Sequence, residues 1–233
     1  MKCINSTHQG VSLTIEFDKY VYQPGPLTSM LSDIMDVIPG DRVIDVGCGT
    51  GYLGILASML GASEVIAIDP ISEALKWTRH NIRLNGVHNI TVIQGEALDP
   101  VGHEQADLIL TLPPQMPYPT NFNPGRYGGP DGTEVIIKII RQAQFILKKK
   151  GSRLFLVHTA LAYPAKIREI ISASQFQWKV VKKVKKKLDF DDLNTLAPQL
   201  SDYLLNLARR GIAEIDEREG LYFYPVWFYR AIL

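Results

Sequence analysis

A strand-like apolar run leads into three closely spaced glycines, in the order Val43-Ile44-Asp45-Val46-Gly47-Cys48-Gly49-Thr50-Gly51. Glycine permits a positive φ and lets a ligand approach the backbone closely, and the start of a following helix attracts anions. A dinucleotide-binding turn needs the spacing GxGxxG, whose last glycine would stand at position 52, where this chain has Tyr52. The spacing here is GxGxG, so the loop does not match the dinucleotide pattern.

An acid stands two residues before the first glycine of the loop, at Asp45. A carboxylate there would repel a pyrophosphate and attract a cation. S-adenosylmethionine presents an ammonium, a carboxylate and a sulfonium, and it has no phosphate. We therefore expect S-adenosylmethionine to be the cofactor.

Two further acids follow the next two apolar runs. Asp69 ends the second run, where an acid can accept hydrogen bonds from both hydroxyls of a ribose. Glu96, within Gly95-Glu96-Ala97, follows the third run and could reach an adenine amine. Either acid alone could be a solvated strand end, but three consecutive strand ends predict one cofactor crevice.

Residues 45–51 resemble the cofactor motif of class I S-adenosylmethionine-dependent methyltransferases, and the likeness runs from about Tyr20 to residue 174. A narrower likeness is to the small-methyltransferase branch, which includes release-factor glutamine methyltransferases and several rRNA and tRNA base N-methyltransferases. Residues 22–28 resemble the Pro-containing stretch of that branch, and residues 128–132 resemble its Gly-Gly-x-Asp-Gly turn. The resemblance implies a cofactor site formed by Tyr22, Asp45, Gly47, Cys48, Gly49, Thr50, Gly51, Asp69, Pro70, Ile71, Gly95, Glu96, Ala97 and Thr111.

The loop after the fourth strand reads Leu112-Pro113-Pro114-Gln115, where that branch carries Asn-Pro-Pro followed by Tyr or Phe. In the branch, the polar first residue and the carbonyl after it accept hydrogen bonds from a target NH₂ group, and the aromatic ring stacks on it. The resemblance implies that all four residues border the transferred methyl group. Leu112 has no side-chain acceptor, although the Pro113 carbonyl could still accept a hydrogen bond from the target. Gln115 cannot stack as a ring would, and together these departures weaken the inference to a planar nitrogen. A rigid strand exit without catalytic function is the alternative.

Other side chains could complete this region. Tyr118, Phe122 or Tyr127 could restore an aromatic wall from the loop that follows. His158, after the fifth strand, could face the substrate, although a structural histidine is the simpler reading. The five histidines and two cysteines have no metal-ligand spacing, so we expect no metal site.

Apolar runs alternate with helical patterns from about residue 40. Strands are predicted at 42–46, 65–69, 90–94, 106–112 and 153–159, and helices at 51–60, 72–85, 133–147 and 164–174. Ser72 is the expected N-cap of the second of these helices, and Gly86 lies just past its end. This alternation predicts an α/β fold with a doubly wound, mostly parallel sheet and helices on both faces. The resemblance implies seven strands, the last antiparallel.

The whole chain, 1–233, is expected to form one methyltransferase domain. Residues 1–40 form a lead-in with little strand signal and a helix at about 29–37, and residues 41–175 form the cofactor-binding core. Residues 176–233 form a hairpin of strands at 177–187 and about 224–233, interrupted at about 189–220 by an insertion that reads as helical over 193–210. Pro225 cannot donate to a ladder, so pairing should begin after it or bulge around it.

The strand at 177–187 carries Lys179, Lys182, Lys183, Lys185, Lys186 and Lys187. Lysines on both faces favour an edge strand, where charge also blocks aggregation, over an RNA-binding surface. The formal net charge is +1, from 25 basic and 24 acidic residues, so the composition shows no global nucleic-acid-binding field.

The 233-residue chain is 46% hydrophobic, enough for a substantial core, but no apolar stretch approaches the ~18 residues of a membrane span. The polar first ten residues predict no signal peptide, and the cysteine count fits the reducing cytoplasm. The sequence thus predicts a cytoplasmic methyltransferase, and the resemblance implies that it acts on a nitrogen of a protein or RNA. A small-molecule substrate and a non-catalytic cofactor-binding partner are the alternatives, and the oligomeric state is open.

Overall fold

The computed structural model describes residues 1–19 and 21–233, so Tyr20, where the resemblance begins, lies outside the described residues. An antiparallel hairpin comes first, with β1 at Lys2–His8 and β2 at Val11–Phe17. Gln9 and Gly10 join the strands with φ angles of 51° and 81°, the left-handed conformations that a tight hairpin turn requires.

The expectation of little strand structure in the first 40 residues was wrong. Leu13, Ile15 and Phe17 of β2 are all buried, while the residues between them are more exposed. This alternation is a strand pattern that the sequence carries openly. Helix α1, at Pro26–Ile34, also begins three residues earlier than expected, because a proline is favourable in the first turn of a helix.

A polar network holds the hairpin to the core. The Tyr52 hydroxyl lies 2.7 Å from Nε2 of His8 and 2.5 Å from the hydroxyl of Ser6. The other ring nitrogen of His8 lies 2.6 Å from the carboxylate of Asp33, in α1. His8 and Tyr52 are buried and Asp33 is half exposed, so this chain of contacts joins β1, α1 and the start of the next helix from the interior out to the surface.

The main sheet has the predicted α/β character. Its strands are β3 (Arg42–Val46), β4 (Glu64–Asp69), β5 (Ile90–Gln94), β6 (Leu108–Thr111), β7 (Arg153–Thr159), β8 (Gln177–Leu188), β9 (Asp216–Arg218) and β10 (Leu221–Ile232). The order across the sheet is β5-β4-β3-β6-β7-β10-β8, with the short β9 also paired to β10. Strands β3 to β7 pair in parallel, and β10 runs antiparallel to both of its long neighbours. The mostly parallel sheet is confirmed, and β9 adds an eighth strand to the seven expected.

Helices flank this sheet: α2 (Tyr52–Met59), α3 (Ser72–Leu84), α4 (Glu134–Ile146) and α5 (Pro164–Ala173). The prediction that Ser72 caps α3 was wrong, because Ser72 is its first helical residue and Ile71 is the N-cap. The backbone nitrogen of Ile71 donates to the Asp69 carboxylate at 2.9 Å, so the strand end supplies the acceptor at this point.

The lysine-rich strand β8 lies at the edge of the sheet, as predicted. Pairing of β10 with β8 runs straight through Pro225, opposite Lys185, and the bulge falls instead between Phe228 and Tyr229. Pairing with β7 begins at Val226, after the proline. Pro225 therefore interrupts only the ladder toward β7, where its missing N–H would have been needed.

Two helices form the insertion, α6 (Phe190–Leu196) and α7 (Leu200–Arg209). The single helical stretch expected at 193–210 is broken at Pro198, because a proline disfavours helical geometry in the residue before it, and Ala197 is extended with φ −152° and ψ 142°. Leu200 and Leu204 are fully buried in the main core. Within residues 1–19 and 21–233, no helix is long and apolar enough to cross a membrane.

Candidate functional site

The glycine loop joins β3 to α2, and its three glycines serve two different purposes. Gly47, Gly49 and Gly51 have φ angles of 72°, 55° and 84°, which side chains rarely tolerate. A Cβ atom on Gly47 or Gly49 would meet no protein atom within 4 Å, so both face open space. A Cβ atom on Gly51 would lie 3.0 Å from Thr78, so this glycine is needed for packing. One side of the loop therefore packs against α3, and the other side is open.

Asp69, at the end of β4, fixes the open face of the loop. One carboxylate oxygen accepts the backbone N–H of Gly49 at 2.9 Å, and the other accepts the backbone N–H of Ile71 at 2.9 Å. Burial raises the pKa of Asp69, and these two backbone hydrogen bonds oppose the shift. Each carboxylate oxygen can still accept a further hydrogen bond, so the group can bind a ligand while holding the loop.

Asp45 lies behind the loop, only 1% exposed. Its carboxylate accepts the backbone N–H of Gly54 in α2 at 2.9 Å. Burial raises its pKa to about 7, the hydrogen bond from Gly54 opposes the rise, and the nearby charge of Asp69 adds to it. The carboxylate therefore holds the start of α2 through this hydrogen bond. Its protonation state changes near neutral pH.

The neighbouring loop residues are held by α3 and by each other. The thiol of Cys48 lies 3.5 Å from the hydroxyl of Thr78, and burial raises its pKa, which makes it a packing residue and a poor nucleophile. Thr50 is buried, and its carbonyl accepts the side chain of Asn81. Pro70 is exposed beside the half-buried Ile71.

The third predicted acid, Glu96, follows the end of β5. The side chain of Glu96 is 62% exposed and lies 3.2 Å from Nζ of Lys138 in α4. Ala97 is buried with a φ of 51°, and a Cβ on Gly95 would overlap Pro100. The backbone of this turn is therefore tightly defined, while the Glu96 side chain is engaged by a lysine.

The loop after β6 has an internal hydrogen-bond arrangement that the sequence did not predict. Gln115 is buried, and its side-chain NH₂ donates to the carbonyls of Pro113 at 3.2 Å and Val157 at 3.0 Å. Its side-chain oxygen accepts the backbone N–H of Thr159 at 2.6 Å. Gln115 thus attaches the loop to β7. Its side chain also occupies the Pro113 carbonyl, which was expected to accept a hydrogen bond from the substrate.

The start of the loop is held just as firmly. Thr111 is fully buried, and its hydroxyl donates to the carbonyl of Val46 at 3.0 Å, next to the glycine loop. Leu112 is partly buried against the main core, Pro113 is buried and Pro114 is half-buried. The two loops that carry the predicted site residues are therefore joined directly through the Thr111 hydroxyl.

The glycine turn at 128–132 packs directly onto this loop. A Cβ on Gly128 would lie 2.5 Å from Cα of Gln115, and a Cβ on Gly132 would lie 2.6 Å from its carbonyl oxygen. Gly132 also has a φ of 79°. No other residue type fits at either position without moving the loop. Packing therefore requires the glycines of the turn that resembles the Gly-Gly-x-Asp-Gly turn.

Three aromatic rings follow the loop in series. The centroids of Tyr118 and Phe122 are 5.3 Å apart, and those of Phe122 and Tyr127 are 6.4 Å apart, both in edge-on geometry. Tyr118 also donates to the carbonyl of Pro198, between α6 and α7, at 2.7 Å. The rings form one apolar wall, and the insertion touches it.

His158 has a structural place. It is buried, stacks on Trp227 at a centroid distance of 5.4 Å, and its Nε2 lies 2.7 Å from the carbonyl of Ala162. Burial lowers its pKa from 6.5 to about 4, so it is neutral at pH 7. The structure therefore supports the interpretation of His158 as a structural histidine.

One side chain of this region, Arg126, was not predicted from the sequence. Tyr22, expected in the cofactor site, is 47% exposed, and the guanidinium of Arg126 lies 5.0 Å from its ring centroid. Arg126 was not singled out, although an arginine among closely spaced aromatic residues is a signal that a sequence can show.

The fold and the glycine loop together define a Rossmann-like methyltransferase domain. A candidate methyltransferase from Bacillus halodurans C-125 has a TM-score of 0.60 at 17% identity, over 88% of this chain and 97% of that chain. A precorrin 8w decarboxylase from Methanobacterium thermoautotrophicum has a TM-score of 0.58 at 17% identity, over 94% and 97% of the two chains. At this identity the likeness concerns the fold.

The chain belongs to the methyltransferase small domain family, whose model matches residues 24–186. The ribosomal protein L11 methyltransferase of Acetivibrio thermocellus is 46% identical over 85 residues, which is 36% of this chain and 27% of that protein. A candidate protein N5-glutamine methyltransferase of Methanocaldococcus jannaschii is 28% identical over 149 residues, covering 61% of this chain and 74% of that protein. The chain therefore matches only about a quarter of the length of the L11 methyltransferase.

Proposed function

We propose that the protein is an S-adenosylmethionine-dependent methyltransferase. The observation that carries this proposal is the glycine loop, in which Gly47 and Gly49 face open space while Asp69 holds the loop in position. Side chains at these glycines would fill the space that a cofactor needs. Family membership supports the same donor, because S-adenosylmethionine is the methyl donor of such enzymes.

The residues at the strand ends fit this cofactor. Asp69 would accept the ribose hydroxyls, and the partly ionised Asp45 would favour the methionine ammonium across the loop. The remaining contacts would come from the backbone of the glycine loop, from Pro70 and Ile71, from the turn at Gly95, Glu96 and Ala97, and from Thr111. Bound there, the cofactor supplies a methyl group on a good leaving group.

The chain itself contributes mainly position to such a reaction. The loop from Leu112 to Gln115 is fixed by the hydrogen bonds of Gln115 to β7 and by the glycine turn beneath it. A rigid loop holds an acceptor in line with the methyl group and excludes water, and this positioning can supply much of the rate acceleration. Thr111 couples this loop to the glycine loop through its hydrogen bond to Val46.

A nitrogen on a protein is the acceptor that the names of the sequence relatives favour, and an RNA nitrogen remains within the same proposal. One observation favours a second candidate, a small-molecule acceptor without a planar NH₂ group. The Pro113 carbonyl already accepts the Gln115 side chain at 3.2 Å, and Leu112 offers no acceptor. An amide would therefore have to displace an internal hydrogen bond. The third possibility is a partner protein that binds the cofactor without turnover.

Calorimetry tests the proposal directly. The protein should bind S-adenosylmethionine and show no comparable binding of NAD. Asp69→Ala should weaken that binding about tenfold or more, because two ribose hydrogen bonds are each worth about 1 kcal/mol. Asp99→Ala is a matched control, since Asp99 is an exposed acid whose carboxylate pairs with Lys138 outside the loop. Equal affinity of a folded Asp69→Ala protein would refute the role of Asp69.

Turnover decides between the acceptor classes. Methyl transfer to any member of a panel of ribosomal protein, RNA and small-molecule substrates would exclude the non-catalytic alternative.

The free thiols of Cys3 and Cys48 agree with the cytoplasm, which is the location we propose.

A further inference from the structure

Helix α3 pairs with strand β2 through two asparagine side chains. The side-chain oxygen of Asn81 accepts the backbone N–H of Glu16 at 2.9 Å, and its NH₂ group donates to the Glu16 carbonyl at 2.9 Å. Asn85, four residues further along, makes the same pair of contacts with Thr14, at 2.9 Å and 2.7 Å. Because residues four apart lie on one face of a helix, the two amides bind alternate residues of β2, as a neighbouring strand would.

Asn81 makes a third hydrogen bond, which reaches the glycine loop. Its NH₂ group also donates to the Thr50 carbonyl at 2.9 Å. Asn81 is fully buried, and Thr50 is only 2% exposed. A buried amide that uses both of its N–H groups and its oxygen is held in one orientation, because any rotation would leave a polar group without a partner. Asn81 therefore fixes the position of Thr50 relative to β2.

A second contact joins the N-terminal hairpin to the same part of the loop. The hydroxyl of Tyr52 lies 2.7 Å from the ring of His8 and 2.5 Å from the hydroxyl of Ser6, both in β1. Thr50 and Tyr52 are the two neighbours of Gly51, where the chain turns from the loop into α2 with a φ of 84°. Each strand of the hairpin therefore holds one neighbour of this glycine, β2 through the buried asparagine and β1 directly.

Helix α3 also holds the loop residue before Thr50. Thr78, one turn before Asn81, donates its hydroxyl to the Gly49 carbonyl at 2.8 Å. The N–H of the same glycine is donated to Asp69 at 2.9 Å, and Gly49 borders the open face of the loop. Adjacent turns of α3 thus hold two consecutive carbonyls of the loop. A shift of Asn81 would be passed through Thr50 to the residue that faces the crevice.

We propose that Asn81 is a positioning residue for cofactor binding, which couples the N-terminal hairpin of β1 and β2 to the glycine loop. This inference rests on the proposed function, because the coupling acts on the binding of S-adenosylmethionine. The docked hairpin holds the loop in the shape that binds the cofactor. By linkage, the bound cofactor must stabilise the docked hairpin by the same factor. Changes in the hairpin therefore alter cofactor affinity from outside the crevice.

Two matched variants test the positioning role. Asn81→Ala removes the hydrogen bonds to β2 and to Thr50, whereas Asn85→Ala removes the equivalent pair to β2 and keeps the contact with Thr50. Calorimetry should show an affinity for S-adenosylhomocysteine at least about tenfold weaker in Asn81→Ala, and within about twofold of the wild type in Asn85→Ala. A role limited to attaching the hairpin would change both affinities alike. Equal affinities in the two variants would therefore overturn the inference.

Amide hydrogen exchange measures the coupling in the wild type itself. Saturating S-adenosylhomocysteine should slow exchange of the Thr14 and Glu16 amides at least about fivefold, because the ligand favours the docked hairpin. The slowing should persist at Glu16 in Asn85→Ala and be lost at Thr14 in Asn81→Ala. Slowing that persists at Thr14 in Asn81→Ala would assign the coupling to Tyr52 and overturn the role of Asn81.

The outcomes separate this inference from the proposed function. Unchanged exchange of the Glu16 amide in a wild type that binds S-adenosylhomocysteine overturns the inference alone, and this result decides even if Asn81→Ala does not fold. A wild type that binds no S-adenosylhomocysteine overturns the proposed function, and the inference with it.

Discussion

The side-chain oxygen of Gln115 accepts the backbone N–H of Thr159 at 2.6 Å, which attaches the loop after β6 to the end of β7. The resemblance of the sequence predicted that an aromatic residue at this position would face the substrate. Here a buried amide takes its place and turns inward. The hydrogen bonds of Gln115 therefore hold the loop, and one of them occupies the loop's own Pro113 carbonyl.

This arrangement makes Gln115 a stability determinant. We expect Gln115→Ala to lower the free energy of unfolding by about 2–4 kcal/mol, because the N–H of Thr159 and the carbonyl of Val157 would be left buried without partners. Gln177→Ala, which removes an exposed glutamine, should have almost no effect. Urea unfolding of both variants makes the comparison, and equal stabilities would show that the Gln115 hydrogen bonds contribute nothing net.

Leu112→Asn is the variant for catalysis, since it restores an acceptor without disturbing Gln115. It should fold normally and change either turnover or acceptor selectivity. Gln115→Tyr, in contrast, should destabilise the loop, because a ring cannot replace three hydrogen bonds in a buried position. Identical kinetics of Leu112→Asn and the wild type on the true substrate would place the reaction elsewhere.

The buried Asp45 should make stability depend on pH. Its pKa is about 7 in the fold and near 3.8 when unfolded, so the folded state holds the proton more tightly. Stability should therefore fall as the pH rises from about 4 to 7, with a slope of at most about 1.4 kcal/mol per pH unit from this group. Asp45→Asn keeps an acceptor for Gly54 and should be the more stable protein at pH 8, as denaturant titrations at several pH values can measure.

The same variant separates the two roles of Asp45. If the carboxylate favours the cofactor ammonium, binding near pH 7 should release a proton in the wild type and none from this site in Asp45→Asn. Calorimetry in buffers of different ionisation enthalpy detects this release. Equal proton release and equal affinity in the two proteins would leave Asp45 with a structural role only.

The insertion should affect turnover through two tyrosines. Tyr118 donates to the Pro198 carbonyl at 2.7 Å, and Tyr203 of α7 donates to the Pro130 carbonyl at 2.8 Å. Deleting 191–210 would remove Leu200 and Leu204 from the core, so we expect that deletion to unfold the protein. The double variant Tyr118→Phe/Tyr203→Phe should instead fold, keep its affinity for S-adenosylmethionine within about twofold and lose turnover. Full activity would exclude a role for the insertion in the substrate cleft.

The N-terminal hairpin should depend on Tyr52. Tyr52→Phe removes the hydroxyl that lies between His8 and Ser6, and it should cost about 1–3 kcal/mol because the His8 ring nitrogen is buried. Thr7→Ala breaks the exposed contact between Thr7 and Ser12 in the same hairpin, where water can replace it. A similar loss of stability in both variants would argue against a special role for the buried network.

The sequence alone determined the alternation of strands and helices from β3 to α5 and the composition of the glycine loop. Both are local properties, since an alternation of apolar residues and a run of glycines can be read within a few positions. The acids at Asp45 and Asp69 follow from the same reading, because parallel strands end at one edge of a sheet. The hairpin in residues 2–17 was also readable from the alternation in β2, and it was missed.

Only the tertiary structure decided what the side chains do. Gln115 binds the backbone of β7 from 42 and 44 residues away, and Tyr118 donates to the Pro198 carbonyl from 80 residues away. Such contacts depend on which strands are neighbours and on which way each side chain turns, and neither is encoded in a short stretch of sequence. The physical reason is that a buried polar group must find a partner, and the partner available to it is set by the packing of the whole sheet.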